Sequence, residues 1–192
     1  MLKFYTAADL DPDLASLLGR ASQAASFLED AIESTLVRLL PMTMAMGSVI
    51  FASNSVSRNL TILEGLLNLP EVAIDPHWRE QIRGYVNEAR SLLGDRNELL
   101  HGRIIDQEPG ARRYVLIQHK ADGRGDRSSM TPLDLEYVAK RISRMQEIGA
   151  MMSSVPHAEY DLSKWAKGFR EYPTKPSPTA PKPDRKRRPD RS

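Results

Sequence analysis

Residues 75–102, DPHWREQIRGYVNEARSLLGDRNELLHG, decide the fold because they have the period of a long helix with one apolar side. Asp75 and Pro76 are typical of a helix N-terminus, where a side-chain oxygen caps backbone N–H groups and proline fits the first turn. Gly102 can end the helix in the left-handed conformation. The apolar side is formed by residues that recur at spacings of three and four, namely Trp78, Ile82, Tyr85, Ala89, Leu92 and Leu99.

Arg96 occupies the place on this apolar side between Leu92 and Leu99. A guanidinium there is costly unless it is paired or lines a wet cleft. His101 lies about 140° round the helix from Arg96 and about 7.5 Å along it, and Asn97 is the i, i+4 neighbour of His101. Because an arginine side chain is long enough to cross that gap, a permanent cation, an amide and a group that titrates near neutral pH can meet in a small volume.

The residues alone leave two interpretations of this cluster open. In the first, Arg96, Asn97 and His101 form a site that binds a phosphate group and moves protons. In the second, Arg96 caps helix carbonyl groups, and His101 is an incidental surface residue near a helix C-terminus, where a cation is favoured in any case.

The cluster resembles the R-x(4–6)-H motif of HEPN domains (higher eukaryotes and prokaryotes nucleotide-binding), with Arg96, Asn97 and His101 in the three motif places. The motif carries the resemblance. Over the rest of roughly residues 11–155 only the predicted arrangement of helices and strands resembles that of a HEPN domain. It implies an all-α fold, an antiparallel bundle of four or five helices, here with a small β-hairpin between the last two long helices. It also implies a metal-independent endoribonuclease whose two-fold homodimer brings two copies of the motif into one cleft.

In such an enzyme the 2′-hydroxyl of RNA is the nucleophile, and the resemblance implies a 2′,3′-cyclic phosphate product. His101 would act as base or acid, Arg96 would hold phosphate oxygens, and Asn97 would orient the imidazole or a phosphate oxygen. No metal or other cofactor is expected, because the chain lacks cysteine and its four histidines show no metal-ligand spacing.

Further residues are candidates for contact with the RNA, namely Arg58, Asn54 and Arg103. For Arg58 and Asn54, which share one face of a predicted helix, a solvated polar face is the competing interpretation. The resemblance also implies a toxin or antiviral effector that an antitoxin or sensor protein restrains. The alternative from another class is a non-catalytic, dimeric HEPN-like module that binds a partner protein or a nucleotide.

The rest of the pattern predicts further helices before the motif. A first helix begins at Asp11 and Pro12 and keeps one apolar face until Pro41 interrupts it. A second helix is expected from about Thr43 to Leu69, so that the helix that carries the motif is the third.

A short β-branched stretch follows the motif and predicts a β-hairpin at about 103–119. Residues 121–130 are rich in Gly, Asp, Arg and Ser and are expected to form a loop. Thr131 and Pro132 approximate the start of a capping box and open a fourth long helix, which ends near Pro156.

Composition divides the chain into an N-terminal arm (1–10), a helical domain (11–170) and a disordered, basic, Pro-rich tail (171–192). From residue 173 onward the tail has seven Lys/Arg and two Asp, a net charge of +5. Since the whole chain has a net charge of +2, the remainder has −3. A nucleic-acid-binding surface that covers the whole domain is therefore not indicated.

Residues 1–10 show no secretory signal, since they contain charged residues and no apolar core. The longest charge-free run, residues 39–57, includes proline, glycine and several serines. It predicts a buried helix rather than a segment that spans a bilayer. We therefore expect a cytoplasmic protein that makes no membrane contact.

Overall fold

Five helices and one three-stranded antiparallel sheet form the part of the chain that the computed structural model describes, residues 11–108, 113–122 and 125–159. The helices are α1 (Pro12–Arg38), α2 (Met44–Phe51), α3 (Val56–Leu67), α4 (Pro76–His101) and α5 (Leu135–Ser153). The strands are β1 (Arg103–Glu108), β2 (Arg113–Asp122) and β3 (Gly125–Leu133), in the order β1-β2-β3 between α4 and α5. The expectations for the arm at 1–10, for residues 160–170 and for the tail at 171–192 lie outside these residues.

Aspartate caps fix the start of the three longest helices. The carboxylate of Asp11 accepts a hydrogen bond from the backbone N–H of Asp13, and that of Asp75 accepts one from His77, both at 2.8 Å. These two starts are as the sequence predicts. The start of α5 was predicted wrongly, because Thr131 lies in β3 and Asp134 is the residue whose carboxylate caps the helix.

The single helix predicted from about Thr43 to Leu69 is two helices, α2 and α3, separated by residues 52–55. The hydroxyl of Ser55 caps α3 by accepting a hydrogen bond from the N–H of Arg58. The amide of Asn59, 2% exposed, donates to the carbonyl of Phe51 at 3.2 Å. Polar side chains that satisfy backbone groups locally compete with a continuous helix, and here they end one helix and begin the next.

The hairpin expected at 103–119 is part of a larger sheet, because residues 125–133 form a third strand where a loop was predicted for 121–130. Strand β3 pairs with β2 along its whole length, from Asp122↔Gly125 to Tyr114↔Leu133. Its Gly, Asp and Ser residues are poor strand formers. The pairing nevertheless covers the second edge of β2 and satisfies its backbone groups.

The core lies mainly between α1 and α5, which run in the same direction. Gly149 lies against the ring of Phe27, and farther along both helices the hydroxyl of Thr35 donates to the carbonyl of Met152 at 3.1 Å. The guanidinium of Arg38 also donates to two carbonyl groups at the end of α5. The predicted antiparallel arrangement therefore does not hold for this pair of helices.

Helices α4 and α5 are antiparallel neighbours. Asp95, near the end of α4, pairs with Arg141, whereas Glu88, two turns earlier, pairs with the later residue Arg144. The C-terminus of α4 therefore lies beside the N-terminal halves of both α5 and α1. No helix in the described ranges is long and apolar enough to cross a membrane.

Helix α2 is exposed, although the charge-free run at 39–57 predicted a buried helix. It packs on α1 through Gly47, which lies against Val37, and its Phe51 is also buried. Its other large apolar side chains are 47–81% exposed, namely Met44, Met46, Val49 and Ile50. Absence of charge therefore marks an apolar surface here rather than a core.

Gly102 ends α4 in an extended conformation, with φ −76° and ψ 162°, and not in the left-handed conformation that we expected. Glycine is required at residue 102 because there is no room for a side chain. A Cβ atom there would overlap the side chain of Leu116 and would lie 2.8 Å from the carbonyl oxygen of Glu98. This close approach brings β2 against the last turn of α4.

We predict that Gly102→Ala destabilises the protein by about 1–3 kcal/mol, because the added methyl group overpacks the contact with β2. Gly94→Ala, in the same helix, is the matched control. A Cβ atom at residue 94 would meet nothing within 4 Å, so this variant should be more stable by up to about 1 kcal/mol. Urea denaturation measures both free energies of unfolding. Equal stability of Gly102→Ala and the native chain would contradict this account of the contact.

Candidate functional site

The last two turns of α4 carry the three motif residues. The apolar side of the helix is buried in the bundle, with Ile82, Ala89 and Leu92 at 0% exposure. Arg96 continues this side and is half-buried, whereas Asn97 and His101 are exposed. The motif therefore lies where the core of the bundle meets the surface, at the end of α4 that leads into β1.

The guanidinium of Arg96 has little bonding within the described chain. One terminal nitrogen donates to Oδ1 of Asn97 at 2.8 Å. The Nε atom is buried and has no hydrogen-bond partner among the described residues. An unsatisfied buried donor costs about 1–3 kcal/mol, so Arg96 does not reach its best hydrogen bonding in this conformation.

Other arginines of the chain show what a structural cap looks like. Arg38 donates to the carbonyl groups of Ser153 and Val155. Arg79 donates to carbonyl groups that follow the end of α3. Within the described ranges Arg96 forms no such bond and no ion pair. The interpretation of Arg96 as a helix cap therefore has no support in the structure.

A cavity of about 270 Å³ lies beside Arg96, between α4, α5 and the sheet. Its walls are mostly apolar and come from α1, α4, β2, β3 and α5. The apolar lining residues include Ala21, Leu92, Leu99, Leu116, Val138 and Ile142. Polar side chains surround its mouth. An apolar cavity with a few convergent polar groups is the usual form of a small-ligand site.

The mouth of this cavity is organised by Asp95, Tyr137 and Arg141. Arg141 pairs with Oδ2 of Asp95 and donates to the hydroxyl of Ser91 at 2.8 Å. The hydroxyl of Tyr137 also reaches Oδ2 of Asp95, at 3.3 Å. Arg141 lies 5.8 Å from the centroid of the Tyr137 ring, within the range of a cation–π interaction. The Nε atom of Arg141, like that of Arg96, is buried without a partner among the described residues.

A second ion pair joins α4 and α5 two turns from this mouth. Arg144 contacts both carboxylate oxygens of Glu88, at 2.7 and 2.8 Å. The hydrogen bonds from Arg144 hold the pKa of the Glu88 carboxyl below its usual value, and they outweigh partial burial, which acts in the opposite direction. The same bonds raise the pKa of Arg144. The pair therefore fixes the register of α4 against α5 outside the cavity.

The other residues that were predicted to bind substrate are placed differently. Asn54 donates to Oδ1 of Asn59 at 3.0 Å and so belongs to the link between α2 and α3. Arg58 is exposed in the first turn of α3. No hydrogen bond or ion pair within the described chain joins either residue to the motif. Arg103 is exposed at the start of β1, two residues after His101.

Tyr137, Arg141 and Asp95 were not identified as site residues from the sequence. A usable signal was present, because Glu88 and Asp95 are seven residues apart and therefore on one side of α4. The amphipathic pattern of α5 did not show which of its arginines would face these carboxylates. Only the antiparallel packing of the two helices settles this.

The motif and the mouth of the cavity together offer two guanidinium groups, an amide, an imidazole and a phenol. These groups can bind an anion and move protons. Within the described ranges no group of three His, Asp or Glu residues is placed to hold a metal ion.

No family model, curated protein or solved structure matches this chain. The resemblance of Arg96, Asn97 and His101 to the HEPN motif therefore depends on these residues and their placement at the end of α4.

We predict that the Glu88–Arg144 pair stabilises the fold in a pH-dependent manner. Because the folded-state pKa of Glu88 is lowered, its contribution is present above the usual glutamate pKa and is lost as pH falls through the lowered value. Glu88→Gln should therefore melt below the native chain at pH 7, and the difference should shrink in acid, as pH falls through the lowered pKa of Glu88.

Glu80→Gln is the control in the same helix. Glu80 is 79% exposed and lies 3.6 Å from Arg83, a surface pair of the kind that contributes little. Its melting temperature should follow that of the native chain at pH 7 and in acid. A Glu88→Gln difference that is the same in acid and at pH 7 would mean that loss of packing, not of charge, causes it.

Proposed function

We propose that this protein is a metal-independent endoribonuclease of the HEPN type that cuts single-stranded or looped RNA. Its biological role would be that of a toxin or defence effector, restrained by an antitoxin or sensor protein. The observation that carries the proposal is Arg96, a half-buried cation beside a cavity, with no backbone carbonyl or carboxylate partner in the described chain. A phosphate group would supply the acceptors that Arg96 lacks.

The chemistry requires two proton transfers and a place for negative charge. The 2′-oxygen of RNA attacks the adjacent phosphorus, the bond from phosphorus to the 5′-oxygen breaks, and a 2′,3′-cyclic phosphate forms. His101 is exposed at the end of α4, and as an imidazole it can take the proton of the 2′-hydroxyl or give one to the 5′-oxygen. Arg96 holds the non-bridging oxygens of phosphorus, and Asn97 orients the guanidinium through its 2.8 Å hydrogen bond.

A homodimer would complete this site. One motif supplies a single imidazole, whereas the reaction needs a base and an acid. The apolar side of α4 packs inside its own chain, so a two-fold contact would have to use the exposed side that carries Asn97 and His101. Such an isologous contact would place two imidazoles and two guanidinium groups round one phosphate.

One feature favours a second function, a non-catalytic module that binds a partner protein. The exposed apolar side of α2, formed by Met44, Met46, Val49 and Ile50, is the kind of surface at which proteins associate. The cleavage activity of the purified chain separates the two functions, because a binding module has none.

We predict that the purified chain cleaves single-stranded RNA in the presence of EDTA. His101→Ala and Arg96→Ala should each lower the rate at least about 100-fold, the scale of one general acid–base or charge-stabilising group. A fluorescent RNA measures the rate, and circular dichroism shows that the variants are folded.

His77→Ala is the matched control. It removes an exposed histidine from the first turn of the same helix, far from the motif, and should leave the rate unchanged. Undiminished cleavage by His101→Ala, or cleavage that strictly needs a divalent ion, would refute the proposed enzyme.

We also predict a homodimer with one shared cleft. Light scattering should give twice the mass of the chain. A mixture of His101→Ala and Arg96→Ala chains should regain part of the activity that each lacks alone, because heterodimers can combine an intact arginine with an intact histidine.

Val49→Glu tests whether association uses a different surface. Residue 49 is 81% exposed on α2, away from the motif, so this variant should remain dimeric and active. A monomeric Val49→Glu chain with full activity would show that the dimer forms through α2 and that the cleft is not shared.

A further inference from the structure

We infer that the cavity between α4, α5 and the sheet binds one guanine base of the RNA, next to the phosphate that is cut. This inference rests on the proposed ribonuclease function. It adds a base-binding subsite whose other side chains lie outside the motif and which shares Arg96 with it.

The size of the cavity suits a small, flat ligand. Its volume of about 270 Å³ is close to the lower end of the range of about 300–1,000 Å³ that is usual for small-ligand sites. A nucleobase fits within this volume, whereas a whole nucleotide must leave its sugar and phosphate outside.

The position of the cavity connects the base to the motif. Arg96 both lines the cavity and belongs to the motif, and it is half-buried. A base inside the cavity can therefore keep its own backbone phosphate within reach of the Arg96 guanidinium. The neighbouring nucleotides remain in solvent, as a single strand requires.

The walls and the mouth suit the two surfaces of a base. The apolar walls, which include Leu92, Leu116 and Ile142, can contact the faces of a flat ring. Tyr137 and Arg141 lie at the mouth, with the guanidinium already beside the phenol ring. Aromatic rings and guanidinium planes are the groups on which proteins stack unpaired RNA bases.

The hydrogen-bonding groups at the mouth select guanine among the four bases. Arg141 and Arg96 both line the cavity, and each has an Nε–H without a partner in the described chain, so each can donate to an acceptor on a bound base. The carboxylate of Asp95 contacts Tyr137 and Arg141 through Oδ2. Its other oxygen, Oδ1, can therefore accept a hydrogen bond from a base. Guanine offers O6 and N7 as acceptors to arginine and an amino group as a donor to a carboxylate. Adenine replaces the O6 acceptor with a donor, and pyrimidines lack N7.

The test maps cleavage positions in a single-stranded RNA of randomised sequence. The native chain should cut next to guanosine more often than next to the other nucleotides, by about tenfold, which is the discrimination that one well-placed bidentate contact gives. Arg141→Met should remove this preference, and Tyr137→Ala, at a residue 53% exposed, should weaken it.

Arg144→Met is the matched control, because it also removes an arginine that joins α5 to a carboxylate of α4 but lies outside the cavity. Its guanosine preference should equal that of the native chain. Circular dichroism confirms that each variant is folded. An identical loss of preference in Arg141→Met and Arg144→Met would overturn the subsite, because helix packing would then explain the effect.

A binding measurement separates failure of the subsite from failure of the ribonuclease. Calorimetry of the full native chain with guanosine, adenosine, cytidine and uridine 5′-monophosphates should show the tightest binding for the guanosine nucleotide, weakened by Arg141→Met. If the chain cleaves RNA without base preference and binds the four nucleotides with equal affinity, the subsite is refuted but the proposed ribonuclease function is not. Selective binding of the guanosine nucleotide without RNA cleavage would support the subsite and refute the enzyme.

Discussion

The half-buried guanidinium of Arg96 is the constraint on which the rest of the site depends. A leucine at this place on the apolar side of α4 would pack like Leu92 and Leu99, and the gap between α4 and α5 could close. A cation cannot be covered by apolar side chains without a large loss of solvation free energy. The bundle therefore stays open beside Arg96, and the last turn of α4 borders a cavity instead of continuing the core.

Two ion pairs between α4 and α5 keep this opening in a fixed shape. Glu88–Arg144 and Asp95–Arg141 are two turns apart on α4. Together they prevent α4 from sliding along α5, because a shift of one turn would break both. In the outer pair each nitrogen of Arg144 donates to a carboxylate oxygen, and two of these bonds go to the two oxygens of Glu88. In the inner pair Oδ1 of Asp95 and the Nε–H of Arg141 have no hydrogen-bond partner among the described residues. The same type of contact is thus structural at one position and suited to binding a ligand at the other.

The sequence predicted the features that local chemistry determines. The aspartate caps at residues 11 and 75, the apolar side of α4 and the break between long helices before residue 76 follow from residue types at fixed spacings. Strand β3 and the exposure of α2 could not be predicted in this way. Strand β3 forms because it pairs with β2. Helix α2 is exposed because its contact with α1, where Gly47 lies against Val37, leaves most of the helix uncovered. Arg141 belongs with these, because its role arises only from the carboxylate that α4 places opposite it.

The separation of the motif from α2 limits how a partner could act. Ala21 lines the cavity beside Arg96, whereas α2 packs on Val37 of the same helix. These residues are sixteen positions apart, about 24 Å along α1. A protein that covers Met46 and Val49 would not reach the phosphate site unless it extended along the bundle. A partner that inhibits by direct occlusion should therefore contact the exposed side of Asn97 and His101, and one bound only to α2 would have to act by changing the association of chains.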